Sequence, residues 1–226
     1  MSRALFLIII GLGGAAILVA LGVWQVQRLA WKQGVIAGIE ARIADDPVAL
    51  PQTPDPETDG YLPVTLTGRF AGDTLRVLVS QKNVGAGYRL ITGFDTDAGR
   101  VMVDRGFLPT DDETAAAPEG DVTVTGNLQW PQETDSFTPS PDLERNIWFA
   151  RDVEAMADIL QTRPVLVVAR EMSQQAPGVT PLPVDTSRIP NDHLQYAITW
   201  FSLAAIWLAM STLFYLRRRR GQSAES

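Results

Sequence analysis

"LQYAITWFSLAAIWLAMSTLFYL", Leu194 to Leu216, runs for 23 residues without a charge and ends against Arg217, Arg218, Arg219 and Arg220. At a rise of about 1.5 Å per residue, a helix of that length covers a hydrocarbon core of roughly 30 Å. Tyr196 and Trp200 lie near one end and Tyr215 near the other, at the levels that interfacial aromatic belts occupy. The stretch therefore reads as a transmembrane helix. Towards the other end of the chain, "ALFLIIIGLGGAAILVALGV" (Ala4 to Val23) is 20 uncharged residues and reads as a second. Arg3 before it would suit a cleaved secretion signal. Its apolar run, however, exceeds the roughly 7–15 residues of a signal core, and no clean small-x-small site precedes Trp24, so a retained anchor is expected.

Orientation follows from the four arginines, which stay cytoplasmic under the positive-inside rule. Two spans then put both termini inside. Arg28 and Lys32 beyond the first span argue weakly the other way, but a connecting segment this long translocates largely regardless of charge. The expected localisation is the bacterial cytoplasmic membrane, or the mitochondrial inner membrane in a eukaryote, with the main domain on the periplasmic or intermembrane side.

Residues 33 to 192 carry 12 Arg or Lys against 25 Asp or Glu, while the two ends together carry 7 against 1. The outer domain is thus acidic and a poor ligand for nucleic acid, whose phosphates reward the opposite sign. With no cysteine in the chain, thiolate zinc sites, iron–sulfur clusters, c-type haem attachment and disulfides are excluded.

After the first span, Trp24, Arg28, Trp31 and Val35 recur at i, i+4, i+7 and i+11, which predicts an amphipathic helical extension to about Ala44. The proline- and acid-rich "DDPVALPQTPDPETDG" that follows reads as a surface linker. From Leu62 the period turns to two: "LPVTLTGRF", "TLRVLVSQ", "YRLITGF", "RVMVDRGFLP", "DVTVTGNLQW", "NIWFA" and "PVLVVARE" are separated by Gly, Asp or Pro and predict strands. "RDVEAMADILQ" predicts a short helix over 153–161 with Asp152 as N-cap and Glu154 in its first turn. Residues 171 to 192 read as a polar, hinge-like approach to the second span.

The fold class expected is an α+β membrane protein, two transmembrane helices flanking a β-rich extracytoplasmic domain, an antiparallel barrel or sandwich with a short helix. Its segments are a cytoplasmic N-terminus (1–3), the first span (4–23), the helical extension (24–44), the β-rich domain with linkers (45–192), the second span (194–216) and a basic cytoplasmic tail (217–226).

The one histidine of the chain, His193, stands at the entrance to the second span. A step of about 100° per residue gathers His193, Tyr196, Ala197, Trp200, Ala204, Trp207 and Ser211 on one helical face, with Leu208 and Leu213 on the lipid side. Two readings stay open. His193 is an interfacial anchor on a face of small residues used for helix packing, or its neutral ring binds a metal or haem iron beside the flat surfaces of Tyr196 and Trp200. A lone imidazole cannot build a zinc or copper site, whereas a porphyrin already fills four positions and needs only an axial ligand. On the first span, Trp24, Gln25, Arg28, Trp31 and Lys32 crowd the same boundary; they are ordinary anchors, or Arg28 serves as a partner for haem propionates.

In the outer domain, Gly106 and Gly93 mark bulges or close backbone approach, and Asp104 with Arg105 reads as a structural salt bridge or solvated turn. The pair Asp111 and Asp112 reads as solvated loop charge. Nucleophile-elbow, phosphate-loop and dinucleotide fingerprints are absent, and an enzyme is not expected.

Three blocks in order, "GVWQVQRLAWK", "GYRLITGF" with "VMVDRGFLP", and "NDHLQYAITWFSLAA", give the chain a resemblance to the Surfeit-locus-one family, the Shy-type assembly factors for haem-copper cytochrome c oxidase. The resemblance covers nearly the whole chain. It departs at Asp104, Phe107 and Gly93, where the family commonly has Asn, Trp and Pro. It implies a two-span membrane protein that binds haem a transiently and without a covalent bond, and helps insert it into the oxidase's catalytic subunit, with that subunit, haem a synthase and the lipid membrane as partners. It also implies His193 as the axial iron ligand, with Tyr196, Trp200, Trp24 and Arg28 around the haem. The rival expectation is a cofactor-free scaffold that holds the catalytic subunit or the haem synthase, in which Asp104 to Leu108 matter more than His193.

Overall fold

The computed structural model describes residues 3–81, 84–110, 115–187 and 189–223; Asp111 and Asp112 lie outside them, as do the side chains of Arg219 and Arg220. Ten elements follow in order: α1 (Arg3–Ala44), β1 (Val48–Ala49), β2 (Pro63–Gln81), β3 (Gly85–Thr96), β4 (Gly99–Pro109), β5 (Val122–Gln129), β6 (Ile147–Trp148), α2 (Val153–Leu160), β7 (Leu166–Met172) and α3 (His193–Ser223). They fall into two units, Met1–Gly38 with Ser187–Ser226, and Ile39–Thr186.

The first unit is a pair of helices, each long and apolar enough to cross a membrane. With no proline within either, nothing in the sequence breaks them. They meet antiparallel along small residues. A Cβ at Gly11 would stand 3.1 Å from the Cβ of Ser211, one at Gly14 would strike the Trp207 indole at 2.6 Å, and one at Gly22 would strike the Phe201 ring at 2.7 Å. The Trp207 Nε1–H donates to the Gly11 carbonyl at 3.0 Å. Without a hydrophobic drive inside lipid, close packing at glycine and such hydrogen bonds are what hold helices together.

The second unit is built on one sheet in the order β1-β2-β3-β4-β7-β5, and β5 also pairs with β2. The pairings β2–β3, β3–β4, β5–β7 and β2–β5 are antiparallel, and β4–β7 is parallel. β2 serves both ends of this circuit because it is long: Pro63–Gly68 pairs with β5 and Gly68–Gln81 with β3. The two strands expected at 62–70 and 74–81 are one. Gly72, with a φ of 82°, and Asp73 form a bulge between Ala71 and Thr74 where the sequence suggested a turn.

Strand alternation supplies two large apolar clusters, beside a smaller one of Leu90, Leu108, Ala176 and Val179. Val64, Leu66, Phe94, Val101, Val103, Val124, Leu128 and Val167 make one, fed by all five strands of the circuit. Leu75, Val77, Ile91, Met102, Leu166 and Val168 make the other, with Met156 and Leu160 of α2. The α2 helix is capped as expected, Asp152 accepting from the Ala155 N–H at 3.1 Å, and it stops at Leu160 because Gln161 turns left-handed with a φ of 51°.

Two segments expected to be loose are tied down. In the linker, Val48 and Ala49 pair in parallel with Val64 and Thr65. In the approach to the second span, Phe107 and Thr180 exchange both backbone hydrogen bonds, at 2.7 and 2.9 Å, and Ala176, Val179 and Val184 are buried. That crossing demands Gly106: its φ is 119°, and a Cβ there would lie 2.2 Å from the Thr180 carbonyl. Residues 87–94 and 103–109 lie within β3 and β4, and both glycines mark close backbone approach, a Cβ at Gly93 standing 2.9 Å from the Ala71 carbonyl.

Candidate functional site

The helix pair's small-residue contacts step along in antiparallel register, Gly11 by Ser211, Gly14 by Trp207 and Gly22 by Phe201. The next step brings Gln25 to His193. The ring Nδ1 and the Gln25 Oε1 are 2.8 Å apart, and Gln25 is buried to 8 % exposure. An amide oxygen can only accept, so this contact is a hydrogen bond in the tautomer whose Nδ1 carries the proton, with the lone pair then on Nε2. His193 itself is half-buried.

On α3, Ala197 and Ala204 are buried, while Trp207 and Ser211 touch α1, so the face picked out by helical geometry is the packing face. Tyr196 is exposed and Trp200 half-exposed along the edge of that face, and Leu208 and Leu213 are exposed, as lipid-facing residues should be.

Gln25, not Trp24 or Arg28, is the α1 residue hydrogen-bonded to His193. The latter two stand with Trp31 on an exposed stripe of α1, where the Arg28 guanidinium lies 4.6 Å from the Trp31 ring centroid and 6.0 Å from that of Trp24. The physical reason is angular: at about 100° per residue, Trp24 and Gln25 point to different quadrants, and the seam is occupied by Gln25. The regular spacing of Trp24, Arg28, Trp31 and Val35 describes an exposed stripe beside the seam. In the sequence Gln25 stood only among the residues crowding the boundary; the seven-residue series Gly11, Leu18, Gln25 was the signal that could have placed it on the helix contact.

In the sheet-rich domain the buried charges are rearranged from expectation. Asp104 is fully buried and pairs with Arg89 at 2.5 Å, not with its neighbour Arg105, and its other oxygen accepts the Gly106 N–H at 3.0 Å. Neither a solvated turn nor an Asp104–Arg105 bridge exists there. Arg105, also fully buried, donates to Thr92 Oγ1 (3.1 Å), the carbonyls of Ala115 (3.0 Å) and Ala116 (3.1 Å), and more weakly Thr74 Oγ1 (3.4 Å). Burial pushes its guanidinium down to about 10, against a smaller opposing pull from Asp104.

Two membrane-length apolar helices flanking a sheet-rich domain, with a single histidine hydrogen-bonded at one end of the helix pair, have the form of a two-span membrane protein. The SURF1 family model matches residues 12–205, and the chain belongs to that family. Among curated proteins it is 36 % identical over 225 residues to a SURF1-like protein of Monosiga brevicollis, covering 89 % of this chain and 84 % of that one. It is 33 % identical over 226 residues to the human Surfeit locus protein 1, covering 89 % and 74 %. A SURF1-like protein of Rickettsia bellii is 29 % identical over 200 residues, covering 84 % and 82 %.

Proposed function

We propose that this chain is an assembly factor for haem-copper cytochrome c oxidase that binds haem a through His193 and assists its insertion into the catalytic subunit, acting by binding and not by turnover. Its partners on this reading are that subunit, haem a synthase and the lipid membrane. The sheet-rich domain sits on the periplasmic or intermembrane side with both termini cytoplasmic, and its circuit of pairings closes as a small barrel around the cluster shared by all five strands.

The observation that carries the haem reading is the His193–Gln25 hydrogen bond, because it leaves Nε2 as the ring nitrogen with a lone pair to give. The residues present fit the group: one imidazole suffices as an axial ligand, Tyr196 and Trp200 offer aromatic surface on the same helix, and non-covalent binding suits a protein that must release what it carries. When bound, haem supplies an iron that accepts one imidazole nitrogen; the chain supplies the ring, its orientation and the aromatic surface. Arg28 keeps the role of propionate partner only for a haem that reaches the exposed α1 stripe.

That outward stripe favours a second reading. Trp24, Arg28 and Trp31 form a ready surface for another membrane protein, and a cofactor-free scaffold would use it. The two readings part in one experiment. The parent, His193→Ala and Arg28→Ala are expressed in a membrane that makes haem a, and each is purified in mild detergent for reduced-minus-oxidised spectra and for co-purifying oxidase subunits. Haem a in the parent that is lost or spectrally shifted in His193→Ala supports the carrier. A haem-free parent that still retains oxidase subunits, and loses them in Arg28→Ala, supports the scaffold.

A further inference from the structure

We infer that Gln25 is a positioning residue for His193: its amide oxygen holds the ring in the Nδ1–H tautomer and leaves Nε2 as the nitrogen that can bind iron. The tautomer is assigned from the contact between the Gln25 amide oxygen and Nδ1 within the helix pair; its consequence for haem rests on the carrier reading above.

A buried amide in a helix pair is costly unless it is hydrogen-bonded. The seam of α1 is otherwise small or apolar as far as the membrane boundary, through Gly11, Ala15, Leu18 and Gly22. Gln25 takes the next seam position, is 8 % exposed, and has its oxygen 2.8 Å from Nδ1. Free imidazole in histidine favours the other tautomer, with the proton on Nε2, so an acceptor fixed at Nδ1 is needed to invert the preference. Such partners fix ring orientation and raise ligand basicity, and their loss costs ~10–100-fold in metal affinity. Trp24 and Arg28, which the resemblance places around the haem, stand with Trp31 on an exposed stripe of α1, whereas Gln25 is the buried residue in contact with the ring.

Because the chain has one histidine, ring-selective ¹⁵N labelling of the full-length protein gives a single imidazole to read, provided no polyhistidine tag is attached. In detergent, without haem and in mildly alkaline buffer, the parent should show the Nδ1–H coupling pattern. Gln25→Leu should move it toward Nε2–H, and Gln25→Glu, which keeps an acceptor, should retain the parental pattern. A parent in the Nε2–H form, or a Gln25→Leu ring unchanged from the parent, overturns the inference whatever haem does.

The same proteins are then titrated with haem a and poised electrochemically. Gln25→Leu should lose ~10-fold or more in affinity and raise the iron midpoint potential, whereas Gln25→Glu should lower it, since a carboxylate makes the ring a stronger donor. Opposite signs from two substitutions at one buried site are not what a packing defect produces. If His193→Ala binds haem a as the parent does, the carrier reading falls while the tautomer result stands. If His193→Ala loses haem and both Gln25 variants keep parental affinity and potential, the positioning role alone is overturned.

Discussion

Arg105 and Asp104 are adjacent in sequence and fully buried, yet each is neutralised differently. Asp104 has a formal partner in Arg89, and breaking a buried pair leaves an uncompensated charge, so Asp104→Ala should cost about 3–5 kcal/mol. Arg105 has no carboxylate in contact among the described residues and depends on two backbone carbonyls and two threonine hydroxyls. Its lowered value of about 10 keeps it charged at neutral pH, so those acceptors carry the whole task of replacing water. Lysine has the charge but not the planar fork, and Arg105→Lys should therefore cost about 1–3 kcal/mol. Urea unfolding of the full-length proteins followed by tryptophan fluorescence checks both; an Arg105→Lys midpoint equal to the parent's would mean that the four acceptors are not what holds the cation. The sequence put these two residues together as a bridge because adjacency is visible and strand geometry is not. Successive strand residues point to opposite faces, so neighbours in sequence are seldom partners in a sheet.

At the scale of elements, the helix pair is the part whose geometry most limits what the site can do. Gly11 and Ser211 approach so closely that cysteines at both positions have nearly the Cβ separation that a disulfide requires. In a chain with no native cysteine, the double variant Gly11→Cys with Ser211→Cys should oxidise to a single intrachain bridge, detected by a mobility shift reversed by reductant. Adding Gly14→Leu should abolish it, because the new side chain occupies the space of the Trp207 indole and breaks its bond to the Gly11 carbonyl. A bridge that forms equally well in the presence of Gly14→Leu would contradict the register. Much of this level was legible in the sequence. Period-two runs located the strands, Asp152 located α2, and the polar and aromatic face of α3 was the one that packs. What escaped was set by pairing: the Gly72–Asp73 bulge that fuses two predicted strands, and Gly106, which accommodates the crossing of Thr180. On α1 the aromatic stripe carried the stronger pattern, and the quieter seam of Gly, Ala and Gln carried the contact. Bulky residues announce a face, but in lipid it is small ones that let helices meet.

The whole molecule sets an acidic domain, with 25 carboxylates against 12 cations over residues 33 to 192, between two apolar helices in the sequence, and this makes pH the natural probe of what holds the domain. Surface pairs such as Arg69–Asp121 and Arg100–Asp95 lower their carboxyl values but are too solvated to matter greatly. Glu133 differs. Burial works to raise its carboxyl, yet hydrogen bonds from Arg151, through its guanidinium and its backbone N–H at 3.0 Å, bring the net value below the ordinary range. Arg151, itself 8 % exposed, also donates to Gln129 Oε1 at 2.7 Å, so the pair clasps the end of β5 to the start of α2. A carboxyl depressed in the folded state contributes stability that is fully present above its unfolded value of about 4.3 and is lost as pH falls through the depressed folded value. The parent's unfolding free energy should therefore fall along an acid limb below that point. Glu133→Gln should be less stable at neutral pH, because the Arg151 charge loses its partner, and should show a shallower limb, so that the two curves converge in acid. Unfolding midpoints of the full-length proteins in detergent, measured across that range, decide it: curves that run parallel down to low pH would mean that the clasp is not part of what acid removes.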